Sequence, residues 1–243
     1  MKIRKAFIWK AMVINMNKEE LSRLAMVIGE DQTEKLKKIR IAVFGVGGVG
    51  GYICEALVRS GIGSIDIFDN DVVSSSNLNR QIIALHSTIG EKKVEVMRSR
   101  LLDINPELVI RTFDVFYSAQ NADNFSLNGY DYIADAIDSV PSKLELIRRA
   151  KESGIPIISS MGTGNKLDPS RLEISDISKT EYCPLAKTVR VALRKMGINH
   201  LNVVFSREEP KKTGERTLGS TAFVPAAAGL LIASKIVRDI IEQ

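Results

Sequence analysis

Three clusters of side chains carry the residue types that phosphate and carboxyl chemistry need. The first is Gly45-Val46-Gly47-Gly48-Val49-Gly50. Glycines let a backbone come close to a phosphate, and a helix starting there offers free N–H groups and a favourable dipole. Asp69, an acid at the end of the next apolar run, is placed to take ribose hydroxyls. Those two features serve NAD and ATP equally. The second cluster separates them: Asp69-Asn70-Asp71 is followed by Asn77, Arg80 and Gln81, then by Lys93 after Gly90. A dinucleotide has only a pyrophosphate, which the glycine turn already serves. Added cations and amides suit a triphosphate whose charge must be offset. Taken singly, each of these residues reads as an ordinary surface side chain; as a set at this spacing they read as a phosphate cradle. The third cluster is Asp135-Ala136-Ile137-Asp138-Ser139. Ligands of open α/β sheets gather at the carboxyl ends of strands, so Asp138 can hold Mg2+ against phosphate oxygens. Asp138 or Ser139 can also cap the helix that Pro141 opens, and the residues leave both roles open.

Such side chains need a scaffold that brings strand ends together. Buried strands are expected at 40–45, 64–68, 108–113, 132–136 and 155–159, with helices at 48–60, 91–104 and 141–153. This alternation predicts an α/β fold, a Rossmann-like doubly wound and mostly parallel sheet with an elaborated C-terminal half. Beyond Gly164 two further strands, 171–175 and 202–205, flank a basic helix at 184–195. Residues 208–220 are rich in Lys, Glu, Gly and Thr and read as a mobile loop. Residues 18–37 read as a helical arm with apolar positions at Leu21, Leu24, Val27 and Ile28. The expected organisation is an extension at 1–17 and one domain at 18–243. Its nucleotide-binding part spans about 38–164 and its basic part about 165–243.

Hydrophobic content of 44% and charged content of 26% suffice for a core that needs no disulfide or metal staple. The two cysteines, Cys54 and Cys183, form no CxxC pair, which excludes a zinc site built from cysteines. Cys54 falls in an apolar helix as a small buried thiol. The longest apolar run, 222–237, contains Pro225 and is too short for a bilayer, so a buried helix and no membrane span are expected. Residues 1–15 are interrupted by Lys10 and lack a cleavage site, so they are not a signal peptide, and a cytoplasmic location fits. The net charge of +5 is confined to 179–216, where nine Lys or Arg face four acids. Lys187, Arg190, Arg194 and Lys195 are its centre. Such a segment is a phosphate-binding surface or a solvated helix face with a loop.

Together GxGGxG, the following D-x-D, N-x-x-R-Q, G-x-x-K and D-x-x-D-S resemble the ThiF and ubiquitin-activating-enzyme-like adenylyltransferase superfamily over about 21–164. The resemblance implies that ATP sits on Gly45, Gly47, Gly48 and Gly50 with Asp69 on ribose and Asp71 beside it. It implies that Asn77 and Gln81 orient phosphates, that Arg80 and Lys93 offset charge in the transition state, and that Asp138 binds Mg2+. It also implies a homodimer in which Arg23 reaches the partner's ATP, and it allows for a monovalent cation with no assigned ligands. The sulfur-carrier branch bears two CxxC pairs, absent here. The branch that dehydrates threonylcarbamoyladenosine in tRNA is similar at 24–36, 77–85, 135–139, 176–186, 203–210 and 219–226, which extends the resemblance over nearly the whole chain. Its implied reaction is ATP-dependent cyclisation of that side chain through a carboxyl-adenylate. The implied partners are the modified tRNA and a possible sulfurtransferase or sulfur-acceptor protein.

Other readings compete. Adenylation of the C-terminus of a small sulfur-carrier or ubiquitin-like protein shares the chemistry up to the adenylate. Cys183 stands roughly where thioester-forming relatives keep a thiol, though a plain loop cysteine is the simpler reading. A NAD-dependent oxidoreductase leaves Arg80, Lys93 and Asp138 without purpose. A non-catalytic scaffold does not need the intact ATP set. His86 and His200 stand alone and receive no role.

Overall fold

Strand β1 (Arg40–Phe44) is buried over its last four residues, as a strand covered on both faces must be. Around it, the computed structural model describes residues 19–215 and 217–242; the expected extension at 1–17 and Arg216 lie outside them. Strands β2 (Ser64–Phe68), β3 (Val109–Phe113), β4 (Tyr132–Asp135) and β5 (Ile157–Ser160) follow, then β6 (Leu172–Asp176) and β7 (Asn202–Ser206). One seven-stranded sheet results, in the order β3-β2-β1-β4-β5-β7-β6. Every pairing is parallel except β6 against β7. The chain leaves β1 toward β2 on one side and returns to pair β4 on the other. The carboxyl ends of β1 and β4 therefore border the crevice where such sheets bind ligands.

Helices α1 (Ser22–Ile28), α2 (Glu30–Leu36), α3 (Gly50–Arg59), α4 (Lys93–Ile104), α5 (Val140–Glu152), α6 (Pro184–Lys195) and α7 (Phe223–Ile241) surround the sheet. The single helical arm expected at 18–37 is in fact two helices. Gly29 breaks it with φ +89°, ψ 156°, a conformation helical backbone cannot share. Elsewhere the expected elements hold to within a few residues.

Two apolar clusters form the core. One gathers Ile53, Leu57, Met97, Ile232 and Ile236 from α3, α4 and α7. The other gathers Phe44, Leu146, Ile147, Val189 and Leu193 with residues of α5 and α6. Within the second, Phe44, Phe68 and Phe113 stack in sequence with centroids 4.1 and 4.3 Å apart, and Tyr117 meets Phe44 edge-on. Phe44, Phe68 and Tyr117 line the crevice. Cys54 is fully buried in α3, as expected, and burial raises its thiol far above the ordinary range. Helix α7 lies so close to α3 that a Cβ on Gly229 would fall 2.5 Å from the Val49 carbonyl oxygen. Among the described residues, no helix is long and apolar enough to cross a membrane.

Candidate active site

The turn after β1 folds back on itself. Gly45 has φ +91°, and a Cβ on Gly50 would sit 1.7 Å from the Gly45 carbonyl oxygen, so both positions require glycine. Helix α3 starts only at Gly50, two residues later than expected, and leaves Gly47 and Gly48 lining open space. Asp69, just past β2, is tied to this turn. Its carboxylate accepts the Val46 N–H at 2.6 Å and the Asp71 N–H at 2.8 Å. Burial pushes the Asp69 carboxyl above its usual range, while the Lys93 charge and the two N–H groups pull it back.

A cavity of about 480 Å3 opens here, over the carboxyl ends of β1, β2 and β4. Asn77, Arg80, Gln81, Lys93 and Asp138 all line it, as do the glycine turn and Asp69, so the expected phosphate set is brought together. Each member is held differently. Asn77 accepts the Ser74 N–H at 3.1 Å and so closes the short 3-10 turn Ser75–Asn77. Arg80 donates one guanidinium nitrogen to Ser76 O and Asn79 Oδ1, at 2.8 and 3.0 Å. Gln81 is buried, and its Oε1 has no hydrogen-bond partner. The other end of that amide, Nε2, faces Gly47 of the glycine turn, where it can donate to a phosphate oxygen.

Lys93 opens α4 with its side chain buried, and its Nζ donates to Asp71 Oδ2 at 2.7 Å. The Lys93 N–H also donates to the Asp71 carbonyl at 3.0 Å. Asp71, expected beside the nucleotide, is thus the counter-ion of Lys93, and it remains exposed. Asp138 is exposed, lines the cavity and makes no hydrogen bond or ion pair among the described residues. Ser139 takes the N-cap position of α5 without a side-chain cap bond, so neither residue caps that helix through its side chain. A free hard-oxygen donor beside a phosphate cradle fits Mg2+, which takes one or two carboxylates and completes its shell with phosphates and water.

Other expected residues lie apart. Arg23 is exposed on α1 and does not line its own chain's cavity. Lys187, Arg194 and Lys195 are exposed along α6. Arg190 differs: its guanidinium turns inward and donates to the Thr180 carbonyl at 2.9 Å and to the Thr180 hydroxyl. It braces the segment before α6 instead of joining the exposed basic face. Cys183 is neither an open thiol nor a plain loop residue. It is buried at the N-cap of α6, where its Sγ accepts the Ala186 N–H at 3.5 Å.

Sequence reasoning missed three contributors. Thr163, after β5, and Ser220, before α7, line the cavity from the C-terminal half. Asn79 donates to the Ser220 carbonyl at 3.0 Å while accepting from Arg80. Residues 208–220, expected as a mobile loop, contain no helix or strand among those described, yet Asn165 holds both ends. It accepts the Lys211 N–H on its carbonyl and the Gly219 N–H on its side chain, at 2.8 and 2.6 Å. Lys143 is the third, a buried cation beneath the cavity whose presence no periodicity announced.

A glycine turn, an acid just past β2 and a cluster of cations and amides at the switch point of a parallel sheet define a nucleotide-binding α/β protein. The chain belongs to the ThiF family, whose model matches residues 21–243. It is similar to the tRNA threonylcarbamoyladenosine dehydratase of Bacillus subtilis, 42% identical over 92% of this chain and 95% of that protein. Its fold is similar to that of the E. coli tRNA N6-threonylcarbamoyladenosine dehydratase TcdA in crystals with ATP. The TM-score is 0.88 at 33% identity, over 93% of this chain and 95% of that one. The Saccharomyces cerevisiae adenylyltransferase and sulfurtransferase UBA4 is 34% identical, over 61% of this chain and 34% of that protein.

Proposed function

We propose that this chain dehydrates threonylcarbamoyladenosine in tRNA at the expense of ATP. The observation that carries the reading is the meeting of Arg80, Lys93 and the uncommitted Asp138 with the glycine turn in one cavity. The likeness to dehydratases over nearly the full length of both proteins supports it. The free carboxylate of the threonyl group attacks the α-phosphorus of ATP, and pyrophosphate leaves. The carbamoyl oxygen of the same side chain then attacks the activated carbonyl. The ring closes to an oxazolone as the carbamoyl nitrogen gives up its proton, and AMP departs carrying one carboxylate oxygen, so the net change from the acid form of the nucleoside is loss of water. The second nucleophile belongs to the substrate, which places it by proximity, so no enzyme thiol is needed.

The residues divide the work. The glycine turn and the start of α3 receive phosphate oxygens on backbone N–H groups, and Asp69 accepts ribose hydroxyls. Arg80 and Lys93 offset charge on the departing pyrophosphate, Lys93 exchanging Asp71 for phosphate oxygens as the nucleotide arrives. Asn77 and Gln81 orient the phosphates. Asp138 holds Mg2+, which supplies further charge neutralisation on those oxygens.

The exposed Lys187, Arg194 and Lys195 track the tRNA backbone. A second copy of the chain completes the site with Arg23. The exposed Met26 and Val27 beside Arg23 on α1 favour such a pairing, since apolar side chains left in water are commonly interface residues. The setting is cytoplasmic. A monovalent cation and a sulfurtransferase or sulfur-acceptor partner remain compatible with the family.

The test follows AMP and pyrophosphate with tRNA carrying the modification and with tRNA lacking it, beside mass spectrometry of digested nucleosides. AMP formation with loss of one water from the modified nucleoside is the expected result. No turnover with either tRNA moves the assignment to a glycine-tailed carrier protein. Charge reversal at Lys187, Arg194 and Lys195 raises the KM for tRNA by about 10-fold or more and flattens its salt dependence. An unchanged salt slope removes α6 from the tRNA surface.

A further inference from the structure

Lys143 is a lysine where a lysine is costly. It is the fourth residue of α5, near the positive end of the helix dipole, and it is fully buried. Its three ammonium protons find three acceptors: Asp135 Oδ2 at 2.7 Å, Ser159 Oγ at 3.0 Å and the Ser160 carbonyl at 3.1 Å. Asp135 is equally buried. Its Oδ2 also accepts the Ser159 hydroxyl at 2.5 Å, and its Oδ1 accepts the Ile137 N–H at 3.0 Å. The network is closed, with every ammonium proton used and both carboxylate oxygens engaged.

A buried ion pair is weak as a source of stability, because well-packed apolar side chains usually serve as well. What this one does is geometric. Asp135 and Ser159 are register partners at the ends of β4 and β5. Through Ile137, Asp135 shapes the turn that carries Asp138. Through Ser160, Lys143 holds the start of the segment that carries Thr163. Both Asp138 and Thr163 line the cavity, and Lys143 does not.

We infer that Lys143, with Asp135, is the positioning residue of the transfer step, setting Asp138 against Thr163 across the cavity without touching a ligand. This rests on the dehydratase reading for the identity of the step and on the reading of Asp138 as the metal ligand. A shift of about an ångström in such a constellation costs roughly 100-fold in rate, so a tie of this kind is worth a buried charge.

The test uses the full chain and the double variant Asp135→Asn, Lys143→Met, which removes both charges and strands neither. Circular dichroism and AMP binding first establish that it is folded. The expected result is a kcat lower by about 10- to 100-fold, a KM for ATP within about threefold, and a weaker apparent affinity for Mg2+. Hydrogen exchange read by mass spectrometry speeds up in peptides covering 136–139 and 160–164, with the 45–50 turn unchanged. Lys143→Arg restores part of kcat if the cation is what matters. A folded double variant with wild-type kcat overturns the inference. So does activity lost only in proportion to the folded fraction, with exchange at the two segments unchanged. Asp138→Asn, run in parallel, isolates the metal reading: if its Mg2+ dependence is unaltered, that reading fails, while exchange and kcat still judge Lys143. Absence of turnover by the unmodified chain on modified tRNA defeats the dehydratase reading alone, since exchange is then still readable.

Discussion

Two lysine–aspartate pairs flank the same cavity and are built in opposite ways. Lys93 and Asp71 meet at 2.7 Å with the aspartate side chain 61% exposed. Lys143 and Asp135 meet at the same distance with both side chains at 0%. The exposed aspartate has water as an alternative partner, so Lys93 can leave it for a phosphate at little cost. The buried aspartate has no such alternative, and its lysine stays. An equal contact distance thus yields a reserve charge in one place and a fixture in the other; solvent access and the two further acceptors on Lys143 make the difference.

The contrast is broken most directly through stability. Lys143→Met strands a buried carboxylate and is expected to cost about 3–5 kcal/mol in denaturant unfolding. Lys93→Met leaves an aspartate that water can solvate and should cost less than about 1 kcal/mol. Equal losses would mean that the two pairs do the same job. Turnover separates them the other way. Lys93→Met is expected to lower kcat about 100- to 1,000-fold, as loss of one preorganised donor to developing charge does. AMP affinity should change little, which nucleotide titration checks.

The smallest effect sharpens the idea of a reserve charge. Asp71→Asn releases Lys93 in advance and should tighten ATP binding by no more than about threefold. It also removes a negative neighbour that helps hold the Asp69 carboxyl up. The Asp69 value then falls, and the acid limb of nucleotide binding moves to lower pH. A limb that moves to higher pH in the variant contradicts the arrangement.

Much of this site could be read before its geometry was known. Closely spaced glycines, a run of cations and amides and strand-ending acids obey local rules of spacing, and Arg80, Lys93 and Asp138 do share one cavity. The pairings could not be read, because they depend on contacts between segments. Lys143 sits in VPSKLELIRRA, where composition suggests a solvated lysine; only the packing of α5 against the end of β4 puts it on Asp135, and the β4–β5 pairing adds Ser159. Arg190 looked like one more cation of a basic helix, and the 177–180 turn folds beneath it to take its hydrogen bonds. The break at Gly29 is legible afterward as a glycine inside a helical pattern, where only the structure shows its φ of +89°. Ser220 and Thr163 carry no motif of their own. They reach the cavity because Asn165 and Asn79 hold the segments that bear them.

The lie of α7 on α3 bears on how the protein is made. The glycine turn is made early in synthesis and is backed by Ala136, just past β4, while α7, which covers another side of it, is made long after. Pro225 walls the cavity beside Gly48, and Gly229 seats the helix on Val49 and Tyr52. Synthesis runs in that order, so this wall of the cavity is in place only once α7 has left the ribosome. A chain cut before α7 is therefore expected to gain less stability from ATP than one that includes it.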